Sequence, residues 1–93
     1  LSELILPPRL DLAAASALLA QAKDLAATGE DCRLLARDVS SIGTACLQTL
    51  LALERALGTQ GRRLTMVDPS QTMRDGMRQL GMETEMIRWM EAA

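Results

Sequence analysis

The chain has 93 residues, a formal net charge of -2, two cysteines, one tryptophan, and no histidine, phenylalanine or tyrosine. Without histidine, the two thiols can assemble neither a zinc site nor a thiol-imidazole nucleophile in the usual ways, and the acidic balance lacks the basic footprint that phosphate-backbone binding requires. No apolar run approaches the ~18 residues of a membrane span, and no basic stretch precedes an apolar one at the N-terminus, so the expected setting is the cytoplasm, with no membrane insertion and no nucleic acid.

The length suits one domain, residues 1–93, at a size where a single hydrophobic core is feasible. The apolar fraction of 48% is almost wholly aliphatic, which predicts aliphatic layers of helices packed on a sheet. The chain starts at Leu1 rather than Met, as a processed or trimmed chain does.

In chain order, the apolar run Glu3 to Leu6 predicts a short first strand, stopped by Pro7 and Pro8 because proline cannot continue a ladder. Leu10 to Leu12 form a candidate second edge pairing. Across residues 13–27, Ala15, Leu18, Leu19, Ala22, Leu25 and Ala26 recur at helical spacing with Lys23 and Asp24 outward; Thr28-Gly29 ends that helix, and Glu30-Asp31 form a solvated turn. Cys32 to Ala36 is the predicted central strand, in an apolar run continuing to Val39, and Arg33 and Arg37 require that one face or end reach solvent or an acidic partner. Cys32 and Cys46 read as small buried residues.

After this strand comes Ile42-Gly43-Thr44-Ala45-Cys46-Leu47, a small-residue turn that opens a helix carrying Leu47, Leu50, Leu51 and Leu57 on one face. Gly43 frees the backbone from Cβ restrictions, and Thr44 reads as the N-cap with an accessible hydroxyl. Gly58 to Gly61 close the helix. Arg63 to Val67 predict the next strand, Leu64 and Met66 on one side and Thr65 and Val67 on the other; the strand-helix-strand spacing implies parallel strands with right-handed crossovers. Asp68-Pro69-Ser70-Gln71 is a helix start, with Asp68 as N-cap, Pro69 at the first helical position and Gln71 completing a capping box; Ser70 is the alternative cap. Met73, Met77 and Leu80 supply that helix's apolar face and Gly81 its stop. Residues 83–92 predict a last amphipathic helix in which Met86, Trp89 and Met90 share a stripe. Five of the six methionines fall from Met73 onward, read as core filling, with an adaptable binding surface as the alternative.

Ile42-Gly43-Thr44-Ala45-Cys46-Leu47-Gln48-Thr49-Leu50-Leu51 resembles the STAS pattern Ile-Asp-Ser-Ser-Gly-Leu-Gly-x-Leu-Leu. Residues 61–82 are similar to the family's Gly-x-x-Leu-x-x-Val-Asn-Pro-Ser followed by a helix ending Leu-x-Gly-Leu, and Leu10-Asp11 before the Ala-rich helix matches its Leu-Asp-x-x-x-Ala start. The resemblance implies a small α/β domain with a mixed sheet of four to five strands and helices mainly on one face. It implies a non-enzymatic, cofactor-free regulatory module of the anti-sigma factor antagonist type, docking a protein through Gly43, Thr44, Ala45, Cys46, Gln48 and the following helix.

Several motif positions depart from the family. The phosphoacceptor Ser of Asp-Ser-Ser-Gly corresponds to Ala45, its Asp to Gly43 and its Gly to Cys46, and the acidic residue usual at the preceding strand's end falls on Leu35. Thr44 is the only hydroxyl left in the motif and the candidate phosphoacceptor. The implied partner is an anti-sigma factor or kinase-like protein. The Thr-Ala pair also resembles the STAS subunit of the bacterial phospholipid-trafficking ABC transporter, whose partner is the transporter ATPase. Ile-Gly-Thr and Cys-Leu-Gln are similar to stand-alone STAS proteins of chemotaxis-type signalling systems.

Overall fold

The structure, a computed structural model, describes residues 1–91. Strand β1 (Ser2–Ile5) runs into the two prolines, and the chain turns back to form the short β2 (Arg9–Leu10). A 3-10 turn, Leu12–Ala14, leads into helix α1 (Ala15–Ala27), followed by β3 (Cys32–Leu35), β4 (Ser41–Ile42), α2 (Thr44–Gly58), β5 (Leu64–Val67), α3 (Gln71–Gln79) and α4 (Glu83–Glu91).

Strands β1, β3 and β5 form one sheet in that order, with Leu4, Leu34 and Met66 in register across it. These three residues, with Cys32 and Leu64, are buried against Leu18 and Ala22 of α1 and Leu47, Leu50, Leu53 and Leu57 of α2. Burial of each such aliphatic side chain contributes ~1.5 to 3 kcal/mol before the entropy of ordering it is subtracted. The predicted central strand is therefore central, and its alternation sends Leu34 inward and Arg33 outward.

The expected single mixed sheet of four to five strands is corrected. Three strands form one sheet, two form a separate β2–β4 pair, and all the ladders are parallel. The apolar run from Cys32 does not stay in the sheet as far as Val39, because the chain leaves it after Leu35. Ser40 and Ser41 then direct their amides to Pro8 O, at 2.7 and 3.1 Å, which draws this segment to the β2 ribbon instead. Val39 stays buried in the connection.

Local predictions hold in outline, with shifts at the helix ends. Gly29 takes a left-handed φ of 70° after α1, as its stop requires. Leu19 and Leu80, expected to face inward, are 44% and 42% exposed: Leu19 lies on the rim between α1 and α2, and Leu80 falls just past α3 at its C-cap. On α2, Leu53 is buried whereas Leu51 is only half-buried. The cap of α3 is Ser70, whose Oγ accepts from Met73 N at 3.1 Å; Asp68 sits at φ 49°, outside the extended range an N-cap adopts. Met66, Met73, Met77 and Met86 are buried, and Met82 and Met90 pack partly against them, so the methionines fill the core. The predicted last helix ends at Glu91 in the described residues; Ala92 lies outside them. Trp89 on that helix is wholly buried.

Candidate functional site

The turn before α2 is held by a short parallel ribbon. Leu10 pairs with Ile42, and Gly43 donates its amide to Leu10 O at 2.7 Å. This bond keeps the chain extended up to Gly43, at φ -125° and ψ 162°, and the helix begins at the next residue. The N-cap is therefore Gly43, and Thr44 is the first helical residue rather than the cap. A Cβ added at Gly43 would stand 3.3 Å from Leu10 O, so glycine here serves the close approach of two backbones.

No side chain caps α2. The first amides of a helix have no intrahelical acceptor and carry the positive end of the helix dipole, so this N-terminus offers donors and a favourable potential to a group approaching from outside. Thr44 and Gln48, one turn apart, are exposed, and Gly43 and Ala45 are half-buried beside them.

Cys46 is different: its side chain is fully buried, and its thiol donates to Asp11 O at 3.3 Å. Burial, and secondarily the charge of Asp11, push this thiol's pKa above its ordinary 9.0. Its physical role is to clamp the Asp11 segment to the first turn of α2. Asp11 in turn caps the 3-10 turn through Ala14 N, at 3.1 Å from Oδ1, and that turn presents Leu12 at 82% exposure. The sequence reading placed Leu12 in the second edge pairing with Leu10; the strand instead stops at Leu10, and Leu12 opens the 3-10 turn because Asp11 caps it.

A second feature missed from sequence is the support beneath the turn. Gly76 on α3 lies so close to Ile42 that a methyl group on Gly76 would overlap Ile42 Cγ2. Glycine inside a helix costs ~0.5 to 1 kcal/mol relative to alanine, and here its lack of a side chain lets α3 seat directly on β4. Leu35, at the position of the family's acidic residue, is half-buried at the end of β3.

A cleft of about 500 Å³ at the C-terminal end of α2 is lined by Glu54, Arg62, Arg63, Arg88 and Glu91 among others, and a shallow apolar groove of about 230 Å³ runs between α1 and α2. Among the described residues, no group of three or more His, Cys, Asp or Glu side chains is placed to hold a metal ion, and no helix is long and apolar enough to cross a membrane.

The parallel β-α-β-α-β core, the extended ribbon leading into α2 and the Pro69-Ser70 start of α3 together define a STAS-type α/β unit. Residues 3–88 match the family described as "Mlab, STAS domain", and the chain belongs to the STAS domain family. No curated protein matches it.

Proposed function

We propose that this protein is a non-enzymatic regulatory module of the anti-sigma factor antagonist type, which docks a protein partner through Gly43, Thr44, Ala45 and Gln48 at the start of α2. The observation that carries the reading is the exposed Thr44 hydroxyl at the uncapped N-terminus of a 15-residue helix, held by backbone bonds on a rigid ribbon. Such a surface needs no rearrangement to be recognised, which lowers the ordering cost of association. Cys46 acts behind it, fixing Asp11 and with it the neighbouring Leu12. The partner under this reading is an anti-sigma factor or kinase-like protein, the setting is the cytoplasm, and residues 1–93 act as one domain. Thr44 is the phosphoacceptor candidate because position 45 is Ala.

A second reading has one specific support. The Thr44-Ala45 pair and the family description naming Mlab favour a subunit that docks on the ATPase of a phospholipid-transport system. Affinity capture from native lysate separates the two by the partner it returns.

Thr44→Glu tests the docking surface in either case. A carboxylate there meets the positive end of the dipole, which favours it by ~0.3 to 1 kcal/mol, so the fold survives. A partner packed over the turn must desolvate that charge without a counterion, at several kcal/mol, against the ~8 kcal/mol of a micromolar complex. Thermal unfolding of the variant is expected to match the wild type while affinity for the captured partner is lost; unchanged affinity overturns the proposal.

A further inference from the structure

Parallel sheets occur almost only with both faces covered. Among the described residues, the β1-β3-β5 sheet has only one face fully buried: its inward residues Leu4, Leu34 and Met66 lie in the core. Its outward residues form two rows, Glu3, Arg33 and Thr65 in one register and Ile5, Leu35 and Val67 in the next. Ile5 on the edge strand is 69% exposed, and Arg33, Leu35, Thr65 and Val67 on the other two strands are half-buried. Arg33 Nη1 lies 3.3 Å from Glu3 Oε2, with the two side chains 42% and 50% exposed, so this ion pair lies in water beside an apolar row.

We propose that this open sheet face is an isologous interface with a second copy of the chain. The charge pattern selects that occupant. With a two-fold axis running along the strands between β1 and β3, Glu3 of each copy stands over Arg33 of the other, and Ile5 stands over Leu35. The face is then self-complementary, as an interface between identical surfaces must be: two opposite-sign pairs become a closed set of four charges, and the apolar rows cover each other at the ~10 Å spacing of packed sheets. The two rows contain far fewer residues than the 20 to 30 per side of a standard interface of roughly 800 Å² per partner, so the dimer is weak and reversible, populated only at high protein concentration. This interface is independent of the Thr44 surface.

Sedimentation equilibrium over a rising concentration series tests it. The weight-average mass of the wild type is expected to climb from the 10.1 kDa of one chain toward twice that value. Glu3→Arg alone and Arg33→Glu alone place like charges over each other and are expected to stay monomeric, whereas an equimolar mixture of the two variants regains association, because each supplies the charge the other lacks. Far-UV circular dichroism checks that both are folded. Ile5→Lys, at an exposed position, is expected to abolish association with an unchanged melting temperature, and it stands in if a charge variant fails to fold. A wild type that stays monomeric throughout, single variants that associate as the wild type does, a mixture that does not associate, or undiminished association in Ile5→Lys overturns the proposal.

Discussion

Trp89 donates its indole N–H to Glu54 Oε2 at 2.7 Å, so the only aromatic residue of the chain is tied to the C-terminal half of α2 by a charge-assisted hydrogen bond. Arg88 completes the arrangement with a bidentate grip on the same carboxylate, at 2.8 and 2.7 Å. Together they dock α4, which otherwise contacts the body of the protein through β5 and α3. The apolar body of Trp89 is buried, and its one polar atom is satisfied.

The Glu54 carboxyl titrates below its ordinary 4.5, mainly because Arg88 hydrogen-bonds to its charged form, with Trp89 adding to the effect and partial burial opposing it. A carboxylate with a lowered folded-state pKa contributes stability that is fully present above its unfolded value and is lost as pH falls through the folded one. The difference in melting temperature between wild type and Glu54→Gln is therefore expected to be constant from about pH 6 to 8 and to shrink below about pH 4.5. Truncating Trp89 to Ala should cost ~3 to 5 kcal/mol at neutral pH, and less as the pH falls through the Glu54 pKa, because the charged carboxylate that accepts its indole N–H is then protonated. A difference between wild type and Glu54→Gln that does not change between pH 7 and pH 3 would contradict the assigned cause.

Gly76→Ala is expected to destabilise the fold by ~1 to 3 kcal/mol, the usual cost of forcing extra volume into a packed contact, although alanine is the better helix former. The strain is specific to Ile42, whose Cγ2 the new methyl would meet. Adding Ile42→Ala should recover part of the loss, and a double-mutant cycle in urea measures the coupling. Strictly additive effects would show that α3 does not bear on β4 in this way.

The two hydroxyl residues at helix starts should behave differently. Ser70 Oγ accepts from Met73 N and donates to Val39 O at 2.6 Å, so Ser70→Ala removes both a cap and a tie to the β3–β4 connection, at ~1 to 2 kcal/mol. Thr44 makes no capping bond, and Thr44→Ala should stay within about 0.5 kcal/mol of wild type. Chemical denaturation of both variants checks the contrast.

Burial pushes the Cys32 thiol up to about 11, and the buried Cys46 thiol is raised as well. The thiolate is the reactive form, so both cysteines are expected to resist a thiol reagent in the native protein at pH 8 and to react fully in denaturant. Rapid native-state labelling of Cys46 would mean that the Asp11 segment opens away from α2.

The order of the elements was legible from the chain because it depends on short-range patterns. Helical spacing from Ala15 to Ala26, alternation in Leu64 to Val67, and Gly29 after a periodic run each act within one or two turns of backbone. The motif order from Leu10-Asp11 to Pro69-Ser70 carried the family for the same reason. What failed depended on partners distant in sequence: β4 lies beside β2 and apart from the three-stranded sheet, where Ser40 and Ser41 donate to Pro8 O, and Gly43 caps α2 because Leu10 O holds its amide. Nothing within a few residues of Glu54 marked it out from a solvated helix charge; only the packing of α4, 34 and 35 residues further along the chain, brings Arg88 and Trp89 onto it. Gly76 reads locally as a helix defect, and only its contact with Ile42 explains it. Sequence fixes what each segment can form, because propensity and periodicity are local; tertiary structure decides which backbone groups pair and which side chains are spent on packing, because those choices are made between segments that the chain keeps far apart.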